Sequence, residues 1–255
     1  MRVLNQAYDQ PMEIEEHAAD LLAGGLMRGY QCGMVWGAAL AAGAQVYRTF
    51  GKGPQAEARA ILSAQRMVES FRSLNKSVDC REITGIDLGS PSMWSITRFL
   101  VKSMPTGTCF GMAARYAPVA FQEINTALSE ERIGNPNSPV SCAACVAQKM
   151  GASDQQTVMA AGFAGGIGLS GGACGALGAA IWITSMNAIR EGEGTIGNNL
   201  AGAGKVIAGF LQVTGGKSEC SEIVGRKFED ASDHAGYLRE GGCAEIIQAL
   251  AGRDY

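Results

Sequence analysis

Gly165-Gly166-Ile167-Gly168-Leu169-Ser170-Gly171-Gly172-Ala173-Cys174-Gly175-Ala176-Leu177-Gly178-Ala179-Ala180-Ile181 is a glycine-packed approach to one cysteine, followed by an apolar run that reads as a buried helix. Gly24-Gly25-Leu26-Met27-Arg28-Gly29-Tyr30-Gln31-Cys32-Gly33-Met34-Val35-Trp36-Gly37-Ala38-Ala39-Leu40 repeats the plan: paired glycines, a short gap, Cys-Gly, then small apolar residues. The match continues downstream. Cys80-Arg81-Glu82-Ile83-Thr84-Gly85 follows Cys32 by 48 residues, and Cys220-Ser221-Glu222-Ile223-Val224-Gly225 follows Cys174 by 46. Cys109 and Cys243 come 29 and 23 residues further on. One order of cysteines, kept twice at nearly one spacing, argues for an internal duplication.

Ser129 to Val140, with Gly134-Asn135-Pro136-Asn137-Ser138-Pro139 inside it, is the clearest break and falls near the midpoint. Two repeats are therefore expected, 1–134 and 135–255. Long alternating β runs are scarce. The fold expected is mainly α, a tandem duplication of a helical cysteine-bearing module.

Composition narrows the function. With 47% hydrophobic and 18% charged residues the chain can bury a full core without disulfide staples. A net charge of −3 and no basic cluster speak against nucleic acid. The 35 glycines are not periodic, which excludes collagen. Residues 158–189 carry no charge, long enough to span a bilayer, but the glycine core would break a lipid-facing helix. Two buried helices joined by a glycine turn are expected instead. Met1 to Pro11 shows no apolar stretch of the secretory type, so a cytoplasmic protein is expected. Eight cysteines in that compartment point to metal ligands or redox thiols rather than structural disulfides.

Along the chain, residues 1–11 read as a loose arm, and Glu13 to Leu22 as a helix with acidic residues early. Cys32 to Tyr47 reads as a buried helix, and Pro54 opens the next. Pro91 to Lys102 reads as helix, Met104 to Thr108 as a turn, and Phe110 to Leu128 as helix with a kink near Pro118. Cys142 to Met150 and Ser153 to Phe163 are helical, the latter capped by Ser153-Asp154. Glu191 to Gly204 reads as a glycine-rich loop before a helix from Lys205 to Val213. A short last helix starts at Cys243. His17 and His234 are expected at the surface, and Trp36, Trp94 and Trp182 in the core.

Several cysteines stand at turn-to-helix junctions, where the helix dipole favours thiolate. Four thiolates suit a [2Fe–2S] or [4Fe–4S] cluster, or tetrahedral zinc. On these residues the chain resembles the redox-active protein family named for its C…GCAxxG…C…C pattern, whose cysteine module also occurs in split-Soret cytochromes. The second half carries the full order: Cys142, Cys174, Cys220 and Cys243. The first half carries a degenerate copy, Cys32, Cys80 and Cys109, without the leading cysteine. Cys174-Gly175-Ala176-Leu177-Gly178 has its glycine one place early, and Met34 stands where the pattern has alanine. The resemblance implies a redox role and an iron–sulfur site. No Cys-x-x-Cys-His occurs, so covalent c-type haem is not expected.

Cys145 forms a CxxC with Cys142. It reads as a redox dithiol, as the fourth ligand for Cys32, Cys80 and Cys109, or as a small buried hydrophobe. Gly172 and Gly175 are expected to bring backbone N–H groups to a cofactor. Gly166-Ile167-Gly168-Leu169-Ser170-Gly171 matches the dinucleotide fingerprint, but Val158 to Ala164 is a poor strand, and helix packing explains the glycines better. The sequence thus points to an electron-transfer protein with one or two iron–sulfur clusters, serving a redox partner or complex subunit and forming a homo-oligomer. Its rivals are a metal-free thiol–disulfide protein and a structural zinc or assembly subunit.

Overall fold

The computed structural model describes residues 1–86, 108–130, 137–192 and 196–252. The expected helix from Pro91, the turn before Thr108, Trp94 and the 134/135 seam lie outside them. In the first half the helices are α1 (Arg2–Ala7), α2 (Glu13–Ala18), α3 (Gly33–Phe50), α4 (Pro54–Asn75), α5 (Cys80–Thr84) and α6 (Thr108–Ser129). In the second they are α7 (Cys142–Lys149), α8 (Asp154–Ala161), α9 (Gly175–Arg190), α10 (Ile196–Val213), α11 (Cys220–Val224), α12 (Ala231–Arg239) and α13 (Ala244–Ala251). No strand occurs among the described residues. Nor is any helix among them long and apolar enough to cross a membrane.

Local chemistry sets several boundaries. Pro54 takes the first position of α4, where its missing N–H costs nothing. Ser153 and Gln156 form a capping box at α8, with Ser153 Oγ accepting the Gln156 N–H at 3.2 Å and Gln156 Oε1 accepting the Ser153 N–H at 3.0 Å. Ser141 caps α7 by accepting the Ala144 N–H at 3.2 Å.

Two expectations about local structure need correction. Residues 1–11 are not a loose arm throughout, because α1 buries Leu4 and Asn5. The Asn5 amide donates to Glu16 Oε1 at 2.8 Å, which ties α1 to α2. The stretch from Glu191 to Gly204 is not all loop either, since α10 begins at Ile196. Glycine opposes helix locally, but α10 packs along α9 and a Cβ at Gly202 would rest 3.5 Å from the Thr184 methyl. Tertiary packing outweighs propensity there.

The duplication is visible in the backbone. Cys32 N–H donates to Val78 O at 2.7 Å and Cys80 N–H to Tyr30 O at 2.7 Å. In the second half Cys174 N–H donates to Ser218 O at 2.9 Å and Cys220 N–H to Gly172 O at 2.7 Å. Each bond joins residues at matching offsets from the two cysteines. The isolated antiparallel bridges Gln31–Asp79 and Ala173–Glu219 correspond in the same way.

The halves interleave. α3 packs on α4 and on α8, and α9 packs on α2, α7 and α10. Small residues permit this: a Cβ at Gly43 of α3 would stand 2.6 Å from the Met159 Cα of α8. The Trp36 and Phe163 rings meet edge-to-face at 4.6 Å in one core that draws on both halves. Trp36 and Trp182 are fully buried, as expected of core indoles.

Candidate functional site

Cys32 and Cys174 are each reached through a left-handed turn. Gly24, Gly25, Leu26 and Met27 have φ of +63°, +62°, +56° and +57°. Gly165 through Leu169 run +62°, +82°, +61°, +55° and +62°. Left-handed backbone costs a non-glycine residue roughly 1–2 kcal/mol, and Ile167 is β-branched as well. Burial offsets that cost, since Leu26 and Ile167 are fully enclosed. Glycine is required where the turn meets its neighbours: a Cβ at Gly168 would lie 2.2 Å from the Gln65 backbone nitrogen. The fingerprint-like glycines thus pack against helices, and α8 rather than a strand precedes them.

The turns deliver cysteines to helix starts. Cys32 and Cys174 cap α3 and α9, while Cys142, Cys80 and Cys220 are the first residues of α7, α5 and α11. Cys243 caps α13 with φ +62°. Cys109 lies in the first turn of α6.

The second-half thiols lie within electrostatic range of one another. Burial pushes the Cys174 thiol up to about 12, and Cys142 adds like-charge repulsion. Burial raises Cys220, with Cys142 and Cys174 adding to it. Burial raises Cys243 too, and Cys142, Cys174 and Cys220 all contribute. Burial likewise raises Cys142, while N–H groups of Gly165, Ala143 and Ala176 point to its sulfur and pull the other way. The first half is parallel: burial pushes Cys32 up to about 12, with Cys80 and Cys109 adding to it. Burial and then Cys109 raise Cys80, and burial raises Cys109.

The helix-dipole expectation of ready thiolates is therefore corrected. Desolvation exceeds the dipole at every one of these positions, so the bare thiols hold their protons at neutral pH. Cys142, Cys174, Cys220, Cys32 and Cys80 are buried, while Cys109, Cys145 and Cys243 are half-buried. A cavity of about 380 Å³ reaches Cys243, bordered by Thr214, Lys217 and Tyr237. Among the described residues, no group of three or more His, Cys, Asp or Glu side chains is already gathered as a metal ligand set.

Cys145 stands beside Cys142, Glu57 and Lys149 and borders a separate cavity of about 500 Å³ with Pro139 and Leu238. The space at Gly172 is filled by the Gln31 amide, and that at Gly175 by the Phe163 carbonyl, 2.1 Å and 1.8 Å from where a Cβ would stand. His17 is exposed, as expected. His234 is not at the surface: it is fully buried in α12, with Nδ1 2.7 Å from Val140 O and its ring edge-on to Phe228. The polar residues around it gave no sign of this. Sequence reasoning also passed over Glu57. Burial pushes it up to about 7, against the pull of the Ser141 and Val140 N–H groups before α7, which favour its charged form. Gln31 was missed as well. Its signal is only its place directly before Cys32, where the second half has alanine.

A helical module, duplicated in tandem and presenting cysteines from first helical turns, is the class that this fold and site define. The chain belongs to the family described as "Putative redox-active protein (C_GCAxxG_C_C)", whose model matches residues 1–121 and 138–253. No curated protein and no solved structure matches it.

Proposed function

We propose that this protein transfers electrons through an iron–sulfur cluster held by Cys142, Cys174, Cys220 and Cys243. The observation that supports the reading is that four thiols at helix starts lie within electrostatic range of one another: Cys142 acts on the other three, and Cys174 and Cys220 also act on Cys243. Were these four to ionise together, three of them buried, they would need a cationic centre to offset their charge. The donor set fits such a group, because all-cysteine ligation is the usual mode for both common cluster types. A cluster bound there would take up and release single electrons. The chain's own part is to exclude water from three of the sulfurs and to aim N–H groups of Gly165, Ala143 and Ala176 at Cys142. Such bonds stabilise charge on sulfur and tune the potential. Cys243, half-buried and bordering a cavity, is the side on which a partner approaches.

Cys32, Cys80 and Cys109 form a second, three-thiol set. The electron would pass to another redox protein or complex subunit, in the cytoplasm. Thiol–disulfide exchange is disfavoured because its nucleophile is thiolate, and Cys174, pushed up to about 12, is protonated at neutral pH. Anaerobic purification followed by iron, sulfide and zinc analysis tests the reading. Iron with matching acid-labile sulfide and a brown colour is expected. Stoichiometric zinc, or a colourless metal-free protein, overturns it.

A further inference from the structure

Gln31 does something the redox reading does not use. It is 1% exposed, and its side chain leaves the first half altogether. Nε2 donates to Gly166 O at 2.7 Å and to Ser170 Oγ at 3.1 Å, and Oε1 accepts the Ala173 N–H at 2.7 Å. Its own carbonyl accepts the Trp36 indole N–H at 3.0 Å. Both amide hydrogens and the amide oxygen are therefore engaged, with no water available as a substitute.

Two of the three residues it grips, Gly166 and Ala173, lead to the second-half sulfurs. Gly166 follows Gly165, whose N–H points to the Cys142 sulfur. Ala173 precedes Cys174, and Gln31 precedes Cys32. Cys32 and Cys174 are thus joined by covalent bonds and a single 2.7 Å hydrogen bond. Alanine at the matching place in the second half makes the reach one-way. A shift of the Gln31–Cys32 peptide would be passed on, because the enclosed side chain has little slack to absorb it.

We propose that Gln31 is a positioning residue that couples the first-half thiols to the second, so that a change at Cys32 is felt at Cys142 and Cys174. This deepens the redox reading by giving the degenerate half a role, but it does not require a cluster.

A double-mutant cycle on the full chain tests it. The native protein, Cys32→Ser, Gln31→Met and the double variant are purified anaerobically. Alkylation rates at Cys142 and Cys174 are then followed by peptide mass mapping across pH. Methionine keeps the volume and removes the hydrogen bonds. Cys32→Ser is expected to change the Cys174 rate by at least about five-fold with Gln31 present, and not in the Gln31→Met background. Gln31→Glu retains an acceptor for Ala173 and is expected to keep the Cys174 response. If Gln31→Met does not fold, Gln31→Leu, which also lacks an acceptor for the Ala173 N–H, takes its place in the cycle. A Gln31 that merely fills space predicts the same Cys32→Ser effect in every background, and that result overturns the proposal. So does no effect of Cys32→Ser in the native chain. Absence of iron would defeat the cluster reading and still leave the labelling cycle readable.

Discussion

A Cβ at Gly178 would stand 2.2 Å from the Trp36 ring, so α9 approaches the first half as closely as a glycine permits. Trp36 cannot retreat, because its indole N–H is bonded to Gln31 O and its ring meets Phe163. Gly178→Ala is expected to destabilise the fold by roughly 1–3 kcal/mol through overpacking. Thermal unfolding followed by circular dichroism should show a drop of about 2–4 °C per kcal/mol. An unchanged midpoint would mean that the helices separate freely at this contact.

Lys76 offers a change in the opposite direction. It ends α4 at φ +64° with its N–H on Arg72 O, and it is exposed. Left-handed caps favour glycine. Lys76→Gly should stabilise by up to about 1 kcal/mol, because strain goes and no buried contact is lost. Urea unfolding should shift to a higher midpoint at constant slope.

Much of this fold can be read from the chain because local chemistry and tertiary structure agree. Pro54, the Ser153–Gln156 box and the two glycine approaches to Cys32 and Cys174 mark their elements directly. The cysteine order carries the duplication. Elsewhere the decisive contacts are distant in sequence. Glycines at 197, 202 and 204 argue against helix until α9 is there to pack on. Ile167 and Leu169 have no local reason to adopt positive φ; the turn imposes it. The burial of His234 depends on Val140, 94 residues away, and the reach of Gln31 on Gly166, 135 residues away. Helix-start cysteines suggested thiolates because dipoles are local, whereas desolvation belongs to the assembled core.

Glu57 should leave a signature in the pH dependence of stability. Its carboxyl holds its proton up to about 7 when folded, against an ordinary 4.5, chiefly through burial. Between these values the folded chain binds more protons than the unfolded one. This contribution is fully present below about 4.5 and is lost as the pH rises through about 7. Glu57→Gln should therefore gain stability relative to the native chain between pH 4.5 and pH 8, by on the order of 2 kcal/mol. His234 pulls the other way, since burial lowers it and its contribution fades as the pH falls. That term is common to both proteins and cancels in the difference. Paired urea titrations at the two pH values check the sign, and a flat difference would place Glu57 in water.

Iron retention should separate the cysteines by neighbourhood. Cys220 adjoins Cys142 and Cys174, whereas Cys145 adjoins Cys142, Glu57 and Lys149. If the second-half four hold the cluster, Cys220→Ser removes one of the ligands from a buried set and should abolish most of the bound iron. Cys145→Ser replaces a half-buried thiol outside that set and should leave the iron content as it was. Both variants change one atom, so volume and packing are nearly preserved and the comparison reads ligation. Iron lost on Cys145→Ser but retained on Cys220→Ser would move the ligand set towards the CxxC of α7. Equal loss from both would make Cys145 a partner of the buried cysteines.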